Sequence, residues 1–201
     1  MKSLTFVYAV HGNIYINLTN KCPCACTFCI RQNGDGAYGS DSLWLEREPT
    51  CEEVLSDLAK YDMSKYGDIV FCGYGEPMER AEDVAFIGKE IKRLYGKTVR
   101  LNTNGLGDRI NGKPTAPMLK GAVDIVSISL NAPTREEYNK VTRPKWDDAF
   151  DSMLKFASEV KNYVSKVMFT VVDVIPEDEI KRSQELADRL GIALRVRPYD
   201  S

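Results

Sequence analysis

Short stretches typical of β-strands alternate with longer helical patterns along most of this chain of 201 residues. Each strand-like stretch is rich in β-branched or aromatic residues and is bounded by turn residues. Because a short hairpin cannot join parallel neighbours, strands separated by helical crossovers predict a parallel sheet. The six predicted strands cover residues 13–19, 68–74, 98–104, 124–131, 166–174 and 193–197.

Four helices are predicted between these strands, over residues 51–66, 81–95, 146–164 and 177–190. The first has Thr50 as its N-cap and Glu53 three residues later, which is a capping-box pattern. The second has apolar residues at helical spacing and ends before Gly96. Between the third and fourth strands the helical signal is weaker and is confined to residues 117–121.

Polar side chains at every second position of several strands help to choose between a doubly wound sheet and a partial TIM-type barrel. A doubly wound sheet buries both faces, so its strands tend towards continuous apolar runs. A repeated polar face instead favours strands that line a wet cavity inside an outer ring of helices. We therefore predict an α/β fold, an open, partial (β/α)6 TIM-type barrel of parallel strands with outer helices. The polar positions are Asn17, Thr19, Asn102, Asn104, Ser127, Ser129, Asn131, Arg195 and Arg197.

Composition and charge restrict the class of protein. Hydrophobic residues make up 43% and charged residues 28%, so one domain of this length can bury a core. The formal net charge of −2 argues against generic electrostatic binding of nucleic acid or acidic membranes. No apolar run approaches the roughly 20 residues of a membrane span. Residues 1–13 are predicted to form an N-terminal strand extension rather than a signal peptide. The expected location is therefore the reducing cytoplasm.

Four of the six cysteines, Cys22, Cys24, Cys26 and Cys29, are crowded into eight positions. Cysteines only two or three residues apart pair poorly as disulfides. Structural zinc normally uses two separated C-x2-C pairs, or one pair with distant histidines, whereas this chain has no second pair and a single histidine, His11. Three thiolates from the Cys22-x3-Cys26-x2-Cys29 subset would leave one iron of a [4Fe–4S] cubane without a protein ligand. An iron–sulfur cluster is therefore favoured over zinc.

The cysteine motif and the motifs that follow it resemble the radical S-adenosylmethionine (radical SAM) superfamily. GYGEP at 73–77 looks like the GGE motif of that superfamily, and NTNG at 102–105 looks like the TNG segment of the glycyl-radical-enzyme activases. SISLNA at 127–132 matches the ribose-contact position. VVDVIP at 171–176 and RVRPY at 195–199 lie where the fifth- and sixth-strand motifs belong. Stretches such as FCGYGEP and VRLNTNG look closest to the TatD-associated radical SAM proteins.

The resemblance covers nearly the whole chain and implies a single radical SAM core domain over residues 1–201. Residues 22–49 are expected to form the cluster loop and the loop that follows it. The resemblance also implies two cofactors, a [4Fe–4S] cluster and SAM. In this superfamily SAM chelates the open iron and is cleaved by one electron to methionine and a 5′-deoxyadenosyl radical, which takes hydrogen from the substrate.

The resemblance implies roles for individual residues. Cys22, Cys26 and Cys29 are the expected cluster ligands. Glu76, after Gly75, is expected to meet the methionyl ammonium of SAM. Ser129 and Asn131 are expected to contact the ribose hydroxyls of SAM, Asn102 the ribose or the carboxylate, and Phe28 the adenine. Each has a structural alternative: a loop turn for the glutamate, a solvated strand face for the polar residues, and core burial for the phenylalanine.

Three further cysteines need separate interpretations. Cys24 departs from the family pattern because most members have no thiol inside the x3 segment, so it is either a spare thiol or a competing ligand. Cys51 and Cys72 are predicted to be small core residues.

The substrate and partners are less defined by the sequence. The last predicted strand ends four residues before the end of the chain. We therefore expect an open cavity that suits a macromolecular substrate, such as a peptide or a partner enzyme. A small molecule covered by residues 31–49 is the alternative. Arg195 and Arg197 are expected either to bind a phosphate or carboxylate of the substrate or to form salt bridges with Asp124 or Asp173.

The predicted function is a radical SAM enzyme that acts on an unidentified substrate, with an electron donor such as flavodoxin or ferredoxin as its partner. The alternative is a non-catalytic iron–sulfur protein that carries electrons or binds a partner. A zinc-stabilised binding domain is the third and weakest hypothesis.

Overall fold

One open sheet organises the chain, as the computed structural model of residues 2–37 and 39–199 shows. The strands follow one another across the sheet in chain order, and the first pair is antiparallel while every later pair is parallel. Within those ranges the two edge strands do not pair with each other, so the predicted open, parallel α/β architecture is confirmed. The strands are β1 Val7–Val10, β2 Asn13–Ile16, β3 Ile69–Phe71, β4 Val99–Thr103, β5 Ile125–Ser129, β6 Lys166–Val172 and β7 Ala193–Arg197.

Six α-helices connect the parallel strands in the described part of the chain. They are α1 Cys51–Leu58, α2 Ala81–Tyr95, α3 Gly107–Asn111, α4 Arg135–Thr142, α5 Ala149–Val160 and α6 Glu177–Leu190. The capping box at Thr50 and Glu53 is present at the start of α1. This helix ends eight residues before the predicted limit at residue 66, because Asp62 caps a separate 3-10 turn that begins at Met63.

The helix α4 was not predicted, because its surface is almost entirely polar. Only Tyr138 and Thr142 are buried among its eight residues, too few to produce a helical hydrophobic period. Its N-cap does carry a signal: the Thr134 hydroxyl accepts a hydrogen bond from the Glu137 N–H, and the Glu137 carboxylate contacts that hydroxyl.

The N-terminal strand forms a hairpin with the first strand of the barrel. β1 and β2 are joined by His11 and Gly12, which both have positive φ, at 48° and 75°. Two consecutive left-handed residues give the tight turn whose twist matches that of the flanking strands. The extension therefore covers one edge of the sheet.

Apolar side chains cover the outer face of the sheet, where the helices pack. Alternate strand residues such as Ile69, Leu101, Ile128 and Phe169 are fully buried against this outer layer. Their neighbours in sequence point into the barrel, since successive strand residues face opposite sides. Hydrophobic burial on the outside therefore leaves the inner face free to carry polar groups.

The carboxyl ends of the strands are shorter than predicted, because their last polar residues leave the sheet. The prediction that Asn17 and Thr19 line the cavity is wrong. The Asn17 amide donates hydrogen bonds to the backbone carbonyls of Leu43 at 2.8 Å and Thr5 at 3.3 Å. The Thr19 hydroxyl instead contacts the Glu48 carboxylate at 2.7 Å. These two residues fasten the N-terminal and post-cysteine segments to the barrel.

None of the helices in the described ranges is both long enough and apolar enough to cross a membrane.

Candidate functional site

A cavity of about 430 Å³ lies inside the curved sheet. This volume falls within the range of about 300–1,000 Å³ that is usual for small-molecule sites. All strands except β3 contribute lining side chains, and the segment after β3 contributes more. Representative lining residues are Tyr8, Tyr15, Asn102, Ser129, Thr170 and Arg197.

The cysteine loop, residues 22–29, brings three predicted cluster ligands to one end of this cavity. Cys22, Cys26 and Cys29 are half-buried and all line the cavity. Backbone hydrogen bonds fix the loop, because the N–H groups of Ala25 and Thr27 donate to carbonyls at the end of α4 at 3.0 and 2.9 Å. We call this part of the cavity the cysteine end.

Sulfur donors of this kind fit an iron–sulfur cluster better than a single metal ion. In the described ranges, no three thiol, imidazole or carboxylate groups converge as ligands of one ion. Cysteines that hold a cubane bind different irons, so they surround the cluster and need not converge on one point. Asn104 places its amide nitrogen 4.0 Å from the Cys22 sulfur, which is within reach of a weak N–H···S hydrogen bond.

Cys24 lies between two of the predicted ligands. Its side chain is buried, and its backbone forms an isolated antiparallel bridge with Pro144. Hydrogen bonding to Cys22 and Cys26 raises the pKa of the Cys24 thiol. The same hydrogen bonds lower the pKa of Cys22 and of Cys26, because they stabilise the thiolates. A neutral Cys24 has a single S–H proton, so it can donate to only one of these thiolates at a time.

The glycine turn, residues 73–77, packs directly against the start of the cysteine loop. A Cβ atom on Gly75 would overlap the carbonyl oxygen of Thr19 and lie 2.6 Å from that of Lys21, so only glycine fits there. The Glu76 N–H also donates to the Lys21 carbonyl at 2.8 Å. The turn therefore holds the chain that enters the cysteine loop against the end of β3.

The Glu76 carboxylate is buried at 4% exposure and accepts three hydrogen bonds. Its donors are the Thr103 hydroxyl at 2.7 Å, the Asn104 N–H at 2.7 Å and the Met78 N–H at 3.0 Å. Burial raises the pKa of Glu76 to about 7, although the hydrogen bonds oppose the shift. The carboxylate thus joins the turn after β3 to the end of β4, while remaining part of the cavity wall.

The other predicted SAM-contact residues also line the cavity. Asn102 and Ser129 project from β4 and β5. Asn131 follows β5 in a left-handed conformation with φ of 63°, which asparagine tolerates better than most residues. Phe28 is half-buried in the cavity wall and does not belong to the hydrophobic core.

The two remaining cysteines, Cys51 and Cys72, differ in their surroundings. Cys51 begins α1, packs partly against the core and donates its thiol to Asp83 at 3.2 Å. Cys72 does not lie in the core as predicted: it follows β3 and lines the cavity. Burial raises the pKa of the Cys72 thiol, against a lowering effect of its hydrogen bond with Asn102.

Three arginines on the strands also line the cavity. Arg100 projects from β4, and Arg195 and Arg197 project from β7. We call this part of the cavity the arginine end. Arg100 was not singled out from the sequence, although it shares a strand face with Asn102 and Asn104, so the period of two could have identified it.

The salt bridges expected for Arg195 and Arg197 are not formed. Asp124 pairs with Lys92 and accepts the Val99 N–H, while the Asp173 carboxylate accepts the Tyr199 N–H at 2.8 Å. Across residues 2–37 and 39–199, no ion pair involves either arginine of β7. Of the two alternatives for these arginines, salt bridges inside the barrel are therefore wrong, and substrate binding stays a prediction.

The segment after β7 approaches the loop that follows the cysteines. Tyr199 lines the cavity, and its hydroxyl exchanges hydrogen bonds with the Asn33 side chain at 2.9 and 3.1 Å. This contact connects the arginine end to the cysteine end across the open side of the sheet.

An open parallel barrel with three thiols at its strand ends defines a class of protein, one built to hold an iron–sulfur cluster over an internal cavity. The profile of the Radical SAM superfamily matches residues 16–187, and the chain belongs to this superfamily of enzymes. The superfamily expected from the motifs is thereby confirmed. The predicted cofactors, a [4Fe–4S] cluster and SAM, are those that the superfamily uses.

Similar proteins include GTP 3′,8-cyclases. A probable GTP 3′,8-cyclase of Thermococcus kodakarensis is 29% identical over 186 residues, which cover 92% of this chain and 55% of that protein. The human molybdenum cofactor biosynthesis protein 1 is 28% identical over 94% of this chain and 28% of its own length. The chain therefore spans about half, or less, of the length of these curated relatives.

Solved structures share the fold at low sequence identity. SuiB of Streptococcus suis bound to its precursor peptide SuiA has a TM-score of 0.69 and 16% identity, over 92% of this chain and 39% of that chain. Methylornithine synthase has a TM-score of 0.64 and 13% identity, over 92% of this chain and 52% of that chain. At these identities the similarity establishes the fold alone.

Proposed function

We propose that this chain cleaves SAM reductively and uses the product radical to take a hydrogen atom from a substrate bound in the barrel cavity. The observation that carries the proposal is that the three thiols of the C-x3-C-x2-C motif open onto the same cavity as the polar ends of the parallel strands. When bound, the cluster and SAM together supply the electron transfer and the 5′-deoxyadenosyl radical.

Residues of the cysteine end would hold the cluster. Cys22, Cys26 and Cys29 provide three thiolates from a loop that backbone hydrogen bonds already shape. Cys24 would remain a neutral thiol that donates to one neighbouring thiolate at a time, which lowers the charge repulsion among the ligands. The Asn104 amide adds a weak hydrogen bond to the Cys22 sulfur, and such bonds tune cluster potential.

The polar wall between the strands would orient SAM. Glu76 places a buried carboxyl group beside the cysteine end, where the methionyl ammonium requires an anionic or carbonyl partner. The absence of a side chain at Gly75 lets this turn pack closely. Asn102, Ser129 and Asn131 offer hydrogen-bonding groups for the ribose or the carboxylate, and Phe28 offers a ring face for the adenine.

The reaction requires an external electron, and a flavodoxin or ferredoxin is the proposed donor. A cytoplasmic location follows from that requirement, since both the donor and a reduced cluster depend on a reducing compartment. The resemblance to the TatD-associated radical SAM proteins is part of the same proposal. It points to a pathway and does not identify the reaction.

A GTP-like substrate is a second candidate. It is favoured by the alignment with the probable GTP 3′,8-cyclase along 92% of this chain. A peptide or protein substrate remains the competing possibility for the open cavity, and product analysis with each substrate class separates them.

Anaerobic reconstitution tests the proposal. We expect protein loaded with iron and sulfide to turn brown and, with dithionite and SAM, to form 5′-deoxyadenosine. A brown protein that neither binds nor cleaves SAM would support the alternative of a non-catalytic iron–sulfur protein. A colourless protein that retains zinc would support the binding-domain hypothesis instead.

A further inference from the structure

Three guanidinium groups converge on one part of the cavity from two sides of the barrel. Arg100 lies on β4, whereas Arg195 and Arg197 lie two residues apart on β7 and share its inner face. Along β4, Arg100 precedes Asn104 by four residues, which corresponds to about 13 Å of strand. Arg100 is therefore separated from the sulfur atoms that Asn104 contacts, whereas Arg195 pairs in register with Thr170 and lies nearer the carboxyl ends of the strands.

The positive charge of the arginine end is poorly compensated. The Nε atoms of Arg100 and Arg197 are buried and have no hydrogen-bond partner. Arg100 has one acidic neighbour, Asp68, at 3.7 Å, a distance too long for a good hydrogen bond. The only carboxylate that lines the cavity within the described ranges is Glu76, and its oxygens already accept three hydrogen bonds.

Neighbouring groups respond to this charge. Arg100 and Arg195 lower the pKa of the Tyr15 phenol, against the larger raising effect of burial. Arg197 and Arg100 act in the same direction on the Cys72 thiol, again against burial. The three cations therefore act on the same small region, between β2, β3, β4 and β7.

Buried donors without partners are costly to the folded chain, which indicates that a ligand completes them. We infer that the arginine end binds a phosphate group of the substrate. One guanidinium group can donate to both oxygens of a carboxylate. A phosphate offers three acceptor oxygens and more charge, so it suits several guanidinium groups better. Neutral polar residues, including Asn102, Ser127 and Thr170, lie between the two ends and suit a hydroxyl-bearing body.

This inference rests on the proposed function and specifies its substrate as a phosphorylated small molecule. The phosphate occupies the arginine end, and the carbon that loses hydrogen lies nearer the cysteine end. A nucleotide and a sugar phosphate share this chemistry.

Calorimetric titration of the cluster-loaded chain with inorganic pyrophosphate tests the inference. We expect one-to-one binding that weakens with added salt. Arg195→Gln and Arg197→Gln should each weaken binding at least about tenfold, since each removes a charge-assisted hydrogen bond. The affinity of Arg195→Lys for pyrophosphate should lie between those of the wild type and Arg195→Gln, because lysine keeps the charge but cannot form the paired hydrogen bonds of a guanidinium group. Wild-type affinity in both glutamine variants would overturn the inference, as would the absence of binding to the wild-type chain.

A matched control and a second readout separate this inference from the proposed function. Arg189→Gln makes the same charge change at an exposed position on α6, and it should bind pyrophosphate as the wild type does. Formation of 5′-deoxyadenosine is measured on the same samples. SAM cleavage without pyrophosphate binding contradicts only the phosphate site, whereas pyrophosphate binding without SAM cleavage contradicts only the proposed function. Titration with GTP and with a sugar phosphate then distinguishes the two sources of phosphate.

Discussion

The two ends of the cavity are built on opposite principles. At the cysteine end, polar groups satisfy one another: Glu76 accepts three hydrogen bonds, and the Asn104 amide reaches the sulfur atoms of Cys22 and Cys24. At the arginine end, the Nε atoms of Arg100 and Arg197 are buried without partners. The first arrangement pairs its polar groups within the chain, whereas the second leaves donors open for a ligand. Functional groups of the second kind are a common source of the conflict between stability and activity.

The largest expected effect concerns the cluster ligands at the cysteine end. Cys26→Ala should abolish the cluster, because two remaining thiolates cannot hold a cubane at three irons. Iron content, visible absorbance and 5′-deoxyadenosine formation should all fall to background. Cys24→Ala is the matched control and should retain the cluster. Loss of iron in both variants would mean that the three ligands are wrongly assigned.

Replacing Glu76 tests whether the cysteine end is self-supporting. Glu76→Gln exchanges one acceptor oxygen for an N–H2 group that faces existing donors, so at least one buried donor loses its partner. We expect the free energy of unfolding to fall by about 1–3 kcal/mol in urea titrations. Glu79→Gln, three residues later and half-buried, should change it by less than about 0.5 kcal/mol. Equal effects in the two variants would show that the hydrogen bonds of Glu76 do not stabilise the contact between the turn after β3 and the end of β4.

The pH dependence of stability gives an independent view of the same carboxylate. The pKa of Glu76 rises from 4.5 to about 7 on folding, chiefly through burial. Between these values the folded chain binds a proton that the unfolded chain has released, so this group's contribution to stability declines as pH rises from about 4.5 to 7. The difference in unfolding free energy between wild type and Glu76→Gln should vary over this range and level off above it. A constant difference from pH 5 to 8 would contradict the shift.

The smallest expected effect lies at the arginine end. Arg197→Gln should leave the unfolding free energy within about 0.5 kcal/mol or raise it by up to about 1 kcal/mol, because it removes a half-buried cation, whose Nε atom has no partner, from beside two like charges. Urea titration against the Arg189→Gln control measures this. A loss above about 1 kcal/mol would show that Arg197 supports the fold, and the contrast between the two ends would disappear.

Much of the barrel could be predicted from the sequence because its signals are local. The period of two marked inward polar positions such as Asn102, Ser129 and Arg195, and Gly96 marked the end of α2. The predicted ends of the strands were less accurate. A polar residue such as Asn17 gives the same sequence pattern whether its side chain lines a cavity or hydrogen-bonds to a loop. Its hydrogen bond to the Leu43 carbonyl depends on a contact 26 residues away, which no local pattern contains.

The site was predictable in outline and incomplete in detail. The cysteine spacing and the glycine turn identified which segments meet, and the structure places their residues around one cavity. The hydrogen bond from Thr103 to Glu76 was missed, because it joins two strand ends and each residue looks ordinary alone. Arg100 was missed for a different reason: the period of two places it on the same face as Asn102, but a charged residue near the start of a strand usually lies in solvent.

The backbone of the cysteine loop has a consequence for how the metal centre is assembled. Ala25 and Thr27 donate to carbonyls at the C-terminus of α4, and these bonds involve no sulfur atom. Zinc fingers, by contrast, acquire their shape only when the metal arrives. Because these bonds do not depend on sulfur, we expect the loop to keep its backbone shape in variants that lack one cluster ligand.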